Sequence, residues 1–228
     1  MGKGRTFARR GPVHINLPQH REHVKKNAQS KRPKLTPEQK EAIYALSLSE
    51  QFSIVHIDSE SGYVVYQHLL VDDHAPDYWQ ILAVAKAYAA ETNCRINPEV
   101  DRHAVEARKK LFPGLPDHLS RSNPDLTTDK YGYIDVKSPL NKNNLVLNAN
   151  HACRQGAIAV LTDLMLNEEL KHKRMLLLTA KIFSELNRNR QGEPNYTQDQ
   201  IHWFVKGTLL KYNRPEKHEL FRPEDTTN

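Results

Sequence analysis

The run from Ala157 to Leu164, AIAVLTDL, is short and almost continuously apolar. An alternating strand can leave one face in water, but a run like this reads as a strand buried on both faces. Residues from about Asn143 to Gln155 before it read as a helix that Gly156 closes as a C-cap. A strand, helix, strand step within one sheet has to cross over, so the chain is read as mixed α/β.

The stretch from Asn123 to Pro139, NPDLTTDKYGYIDVKSP, feeds that crossover. Tyr131, Tyr133 and Ile134 suit a strand, and Asp129-Lys130 with Gly132 suits the bend before it. A β-hairpin here brings Asp125 beside Asp135 and Lys137. Residues two apart on a strand share a face, so Asp135 and Lys137 project together and Val136 points away. Two converging carboxylates suit one hard cation such as Mg²⁺ (or Mn²⁺), and a neighbouring lysine can orient water or offset charge on a phosphate. The bland alternative for an Asp-x-Lys strand is a solvated face with a weak ion pair.

The other elements read in order as follows. Thr36-Pro37-Glu38-Gln39 is a capping box that opens a helix to about Leu46. Phe52 to Ile57 and Tyr63 to Leu70 form an N-terminal β-meander around Asp58–Gly62. Asp77 to about Thr92 is an amphipathic helix, in which Tyr78 and Trp79 read as packing or as a binding stack. Cys94 to Val100 is a short strand with Glu99 near its end, either a third acid for the cluster or an exposed strand-end charge. His103 to Phe112 is a short helix or turn-rich connection. Asn167 to about Asn187 is a long amphipathic helix with Leu170, Met175, Leu178, Ile182, Phe183 and Leu186 as its stripe. Ile201 to Val205 and Thr208 to Tyr212 form a terminal hairpin around Lys206-Gly207, anchored by Trp203 and Phe204.

The order from Pro76 to Leu164 resembles the αβββαβ core of PD-(D/E)xK nucleases, and Pro124, Asp125, Asp135 and Lys137 are similar to their signature. More narrowly, Pro98-Glu99, Asn123-Pro124-Asp125, Asp135 to Pro139 and the helix end Arg154-Gln155 resemble the C-terminal tRNase domains of contact-dependent inhibition toxins and related mobile-element proteins. Arg154 stands where Lys is usual, Asp135 where Glu is usual, and no Gly follows Pro139. The resemblance implies a nuclease acting on RNA (tRNA among its substrates) or DNA, with an immunity or mobile-element protein as partner. It implies that Asp125 and Asp135 hold Mg²⁺ or Mn²⁺, Glu99 completes the site, and Lys137 serves the attacking water. Metal-free tRNA cleavage and an idle nucleic-acid-binding relative stay open. Asn143 and Asn144 either cap the crossover helix or meet a phosphate at its N-terminus. Arg154 and Gln155 at its far end either reach nucleic acid and the acids or face solvent.

The net charge of +6 is unevenly placed. Met1 to Lys34 holds ten lysines and arginines against one acid, Glu22, and so carries +9, leaving −3 on the remainder. With Pro12, Pro18 and Pro33 and few large apolar residues, this arm is expected to be disordered alone. Residues 1–35 are therefore read as a basic arm, 36–213 as one domain and 214–228 as a flexible tail. The arm's Arg9, Arg10, Lys25 and Lys26 suit phosphates, or the arm is a linker. No apolar run spans a bilayer and no signal segment opens the chain, so a cytoplasmic protein with no membrane partner is expected. Cys94 and Cys153 lack metal-ligand spacing, and no GxGxxG or Walker loop occurs. If the arm binds phosphates, deleting residues 1–34 will weaken binding to all nucleic acids alike. The log–log salt slope will then fall by roughly 0.7 to 0.9 per lost contact; an unchanged slope makes the arm a linker.

Overall fold

Helix α1 (Pro37–Ala45) begins as its sequence dictates: Thr36 Oγ1 accepts from Gln39 N–H at 3.3 Å, and Gln39 Oε1 accepts from Thr36 N–H at 2.9 Å. The computed structural model describes residues 35–101, 103–115, 122–139, 141, 144–164, 166, 172–188 and 199–214, the last four of α5 by backbone alone. The basic arm with Arg9, Arg10, Lys25 and Lys26, and also Asn143, Leu170, the 191–195 loop and the tail beyond 214, lie outside the described residues.

Eight strands form one mixed sheet in simple chain order: β1 (Phe52–Ile57), β2 (Val64–His68), β3 (Cys94–Ile96), β4 (Leu126–Thr128), β5 (Gly132–Lys137), β6 (Ile158–Thr162), β7 (Gln200–Val205) and β8 (Thr208–Asn213). The meander is thus one edge of the common sheet. Three parallel steps join β2 to β3, β5 to β6 and β6 to β7. Each is bridged by one helix: α2 (Tyr78–Tyr88), α4 (Leu145–Arg154) and α5 (His172–Arg188). Helix α3 (Val105–Leu111) interrupts the path from β3 to β4.

The helices divide between the two faces of the sheet. Ile134, Ile158, Val160 and Phe204 pack with Val84, Ala85 and Tyr88 of α2. Ala159, Leu161, Ile201 and Trp203 pack with Leu145 and Ala149 of α4 and with Met175, Ile182 and Phe183 of α5. Strand β6 is buried at every residue, as its unbroken apolar run requires. Trp203 is fully buried and donates from Nε1 to Thr179 Oγ1 at 2.8 Å, so it anchors the terminal hairpin to α5. The expected strand Cys94 to Val100 ends at Ile96, because Pro98 has no N–H to extend the ladder. Cys94 and Cys153 are buried free thiols, and no described helix is long and apolar enough to cross a membrane.

A polar lock ties α2, the β4–β5 turn and β8 together. Glu91 accepts from Lys130 Nζ at 3.1 Å, from Tyr131 Oη at 2.8 Å and from Lys211 Nζ. Both ammonium groups also lie over the Tyr131 ring, 5.1 and 4.9 Å from its centre. Burial pushes the Glu91 carboxyl up, but these three donors outweigh it and hold it at about 2, below its ordinary 4.5. The unfolded chain therefore takes up this proton first as pH falls. The stabilisation is complete above about 4.5 and lost on approach to 2. Glu91→Gln is expected to lower stability by roughly 2 kcal/mol at pH 7. In thermal melts the deficit should shrink as pH falls from 4.5 to 2.

Candidate functional site

Strands β4 and β5 pair antiparallel with Leu126 opposite Ile134 and Thr128 opposite Gly132. Gly132 takes φ +71°, a left-handed conformation that favours glycine, and Thr128 Oγ1 accepts from Tyr131 N–H at 2.9 Å to close the turn. That register puts Asp125, one residue before β4, across from Asp135 and Val136. Its Oδ2 accepts from Val136 N–H at 2.7 Å. Ile134 and Val136 face α2, so by alternation Asp135 and Lys137 face the α4 side, in register with Ala159 and Leu161. Asp135 is 1% exposed, and its Oδ2 lies 2.7 Å from Lys137 Nζ. No donor reaches that oxygen at hydrogen-bonding angles.

These side chains line an open cleft of about 630 Å³. Glu99, Arg154 and Gln155 line it too, as do Val71, Asp72, Asp77, Tyr78 and Ile81 from α2 and the segment before it. The sequence-derived residues Asp125, Asp135, Lys137, Glu99, Arg154 and Gln155 therefore share one cavity. Asn144 precedes α4 without capping it through its side chain. Glu99 is exposed at the wall, past the end of β3. Among the described residues no three His, Cys, Asp or Glu side chains gather closely enough to hold a metal ion together, so Glu99 stands apart from the Asp125–Asp135 pair. Tyr78 packs on the α2 core, as the packing alternative has it, and also lines the cleft, its hydroxyl donating to Gln67 Oε1 at 2.5 Å.

Two residues that sequence reasoning passed over hold the acids in place. The buried guanidinium of Arg108 donates to Val100 O and Asn123 Oδ1, both at 2.9 Å, and to Ser122 O. It clamps the turn before Asp125 to the segment after β3. A signal was present: Arg108 shares a helical face with Leu111 and Phe112. Asn97 accompanies it, donating from Nδ2 to Pro124 O at 3.0 Å and Thr127 Oγ1 at 2.9 Å, while its N–H reaches Asp125 O at 2.9 Å.

Burial raises the Asp125 carboxyl well above its ordinary range, and the charge of Asp135 raises it further; Lys137 and Val136 N–H oppose them only in part. Burial beside Asp135 therefore favours the protonated form of Asp125. Counted formally, the cleft wall carries Asp72, Asp77, Glu99, Asp125 and Asp135 against Lys137 and Arg154, an excess of acid. Asp135, with one buried oxygen left without a hydrogen bond, and Asp125 beside it offer the one or two carboxylates that a hydrated divalent cation takes while keeping its waters. No protein-family model, curated protein or solved structure matches this chain.

The raised Asp125 carboxyl carries a stability consequence. The folded state holds a proton that the unfolded chain releases near the ordinary 3.8, so its contribution is full below that value and is lost as pH rises. Asp125→Asn retains an oxygen for Val136 N–H and removes the ionisation. The variant should melt a few degrees above the native chain at pH 7, the gap closing towards pH 4; no gain at neutral pH would contradict the buried-acid assignment.

Proposed function

We propose that the chain hydrolyses phosphodiester bonds in RNA or DNA, RNA being preferred, at the Asp125–Asp135–Lys137 cleft. The observation that carries this reading is the convergence of those three side chains, with Arg154 and Gln155, in one cavity. The path from α2 through β3, β4, β5 and α4 to β6 supports the PD-(D/E)xK-like reading, with α3 as an insertion. The toxin-like tRNase and mobile-element setting, with an immunity or accessory protein as partner, is part of the same proposal. Asp125 and Asp135 would hold Mg²⁺ or Mn²⁺, with Glu99 assisting from the wall. The cation would supply the positive charge that a phosphate needs in a cleft with more acids than bases. Lys137 then orients the attacking water or offsets charge growing on the phosphate, and Arg154 binds a neighbouring phosphate.

A second reading keeps the residues and dispenses with metal. It is favoured by the burial of Asp125, which raises its carboxyl and so favours the protonated form that a general acid needs to protonate the leaving oxygen. Excess chelator separates the two: full activity in EDTA supports the metal-free route, and its loss with rescue by Mg²⁺ or Mn²⁺ supports the first. Absence of cleavage of tRNA, single-stranded and duplex DNA at every metal concentration would leave a nucleic-acid-binding relative without activity.

Lys137→Met keeps the aliphatic stem and removes the charge. Turnover should drop by about two orders of magnitude or more, with substrate affinity changed far less, because the loss falls on the transition state. Single-turnover cleavage and equilibrium binding, with a melting curve to verify the fold, measure this. Native-like cleavage would reduce Lys137 to an ion-pair partner of Asp135.

A further inference from the structure

A second recess of about 420 Å³ adjoins the cleft, and both are lined by Asp77, Ile81 and Lys137. Lys137 thus stands at the junction of two spaces, which suits a chain molecule that continues on either side of the group Lys137 meets. The second recess has apolar walls from Pro76, Ile81 and Val136, and polar groups from Gln80, Ser138 and Asn148. Gln80, in the first turn of α2, is 6% exposed, and its side-chain amide has no hydrogen-bond partner among the described residues. The side-chain amide of Asn148, across the recess on α4, also lacks one among them. Ser138 Oγ is already paired with Thr162 Oγ1 at 2.8 Å. Neither amide is fully buried, so both meet solvent within the recess and are free to pair with a ligand that carries its own donors and acceptors.

We propose that this recess receives the nucleobase of a nucleotide next to the scissile phosphate, an inference that rests on the phosphodiester reading of the adjoining cleft. A nucleobase is a flat ring with apolar faces and an edge of neighbouring donors and acceptors. Pro76, Ile81 and Val136 suit the faces, and each amide offers both a donor and an acceptor to the edge. Within a duplex those faces are stacked and the pairing edge is occupied. The substrate therefore enters single-stranded or with this nucleotide turned out of its stack.

The test is equilibrium binding of 5′-AMP, CMP, GMP and UMP against ribose 5-phosphate, followed by NMR at the side-chain amides of the full chain. At least one nucleotide should bind about tenfold or more tightly than the sugar phosphate. Gln80→Leu, of similar volume, should remove most of that difference, as should Asn148→Leu, which serves if the first variant fails to fold. Equal affinity for nucleotides and ribose 5-phosphate, or a preference untouched in the folded variants, overturns the base recess. Cleavage assays on the same proteins separate the two readings. Hydrolysis without an amide-dependent base preference sinks only this inference, whereas amide-dependent nucleotide binding without hydrolysis of any nucleic acid sinks only the proposed reaction.

Discussion

Strand β6 is buried along its whole length, so each side chain it presents must be covered from one face of the sheet or the other. Its odd-numbered residues Ala159 and Leu161 require α4 and α5, and Ile158 and Val160 require α2. Because β5 pairs with β6 in parallel register, the same alternation continues into the neighbouring strand. Ile134 and Val136 go to the α2 core, and Asp135 and Lys137 are left on the other side, beside the end of α4. A one-residue slip would drive both charged groups into the apolar layer, which makes this register strongly specified. The hydrophobic demand of one strand thus sets the direction of the charged groups on the next.

Holding two carboxylates together out of water opposes folding, and the surrounding structure is arranged to withstand it. Burial favours the protonated form of Asp125, Lys137 sits against Asp135, and Val136 N–H satisfies one oxygen of Asp125. Arg108 and Asn97 supply no group to the acids themselves; they fix the backbone on both sides of Asp125. An acid pair costly to the fold but rigidly placed is the usual compromise of a reactive or ligand-binding site. The ion-pair lock around Glu91 contributes in the opposite sense, tying the β4–β5 turn to α2 and β8.

Charge distribution also bears on the proposed chemistry. The cleft is acid-rich while the sequence places ten basic residues in the first 34. A nucleic acid held by the arm would be attracted without regard to sequence, and discrimination would then fall to the cleft and the adjoining recess. Such a division would separate attraction from selection.

The sequence by itself determined the elements and the Asp125–Asp135–Lys137 cluster. The capping box at Thr36, the unbroken apolar run after Gly156, the alternation around Asp135 and the Lys206-Gly207 turn are local signals, each read within a few residues, and each element lies close to where its signal put it. Proximity of Asp125 to Asp135 followed from a hairpin only ten residues long, and so was legible too. Other features were decided by tertiary structure. Joining the meander to the same sheet depends on β2 pairing with β3, across a helix and 25 residues of chain. Burial of Arg108, rather than of its neighbours Lys109 and Lys110, depends on what α3 packs against. Gln80 and Asn148 lie on different helices, and only the packing of α2 and α4 around the end of β5 makes them walls of one recess. Local patterns report which face of an element is apolar; which distant element covers that face is a choice made by packing, and the cleft's second wall is a product of that choice.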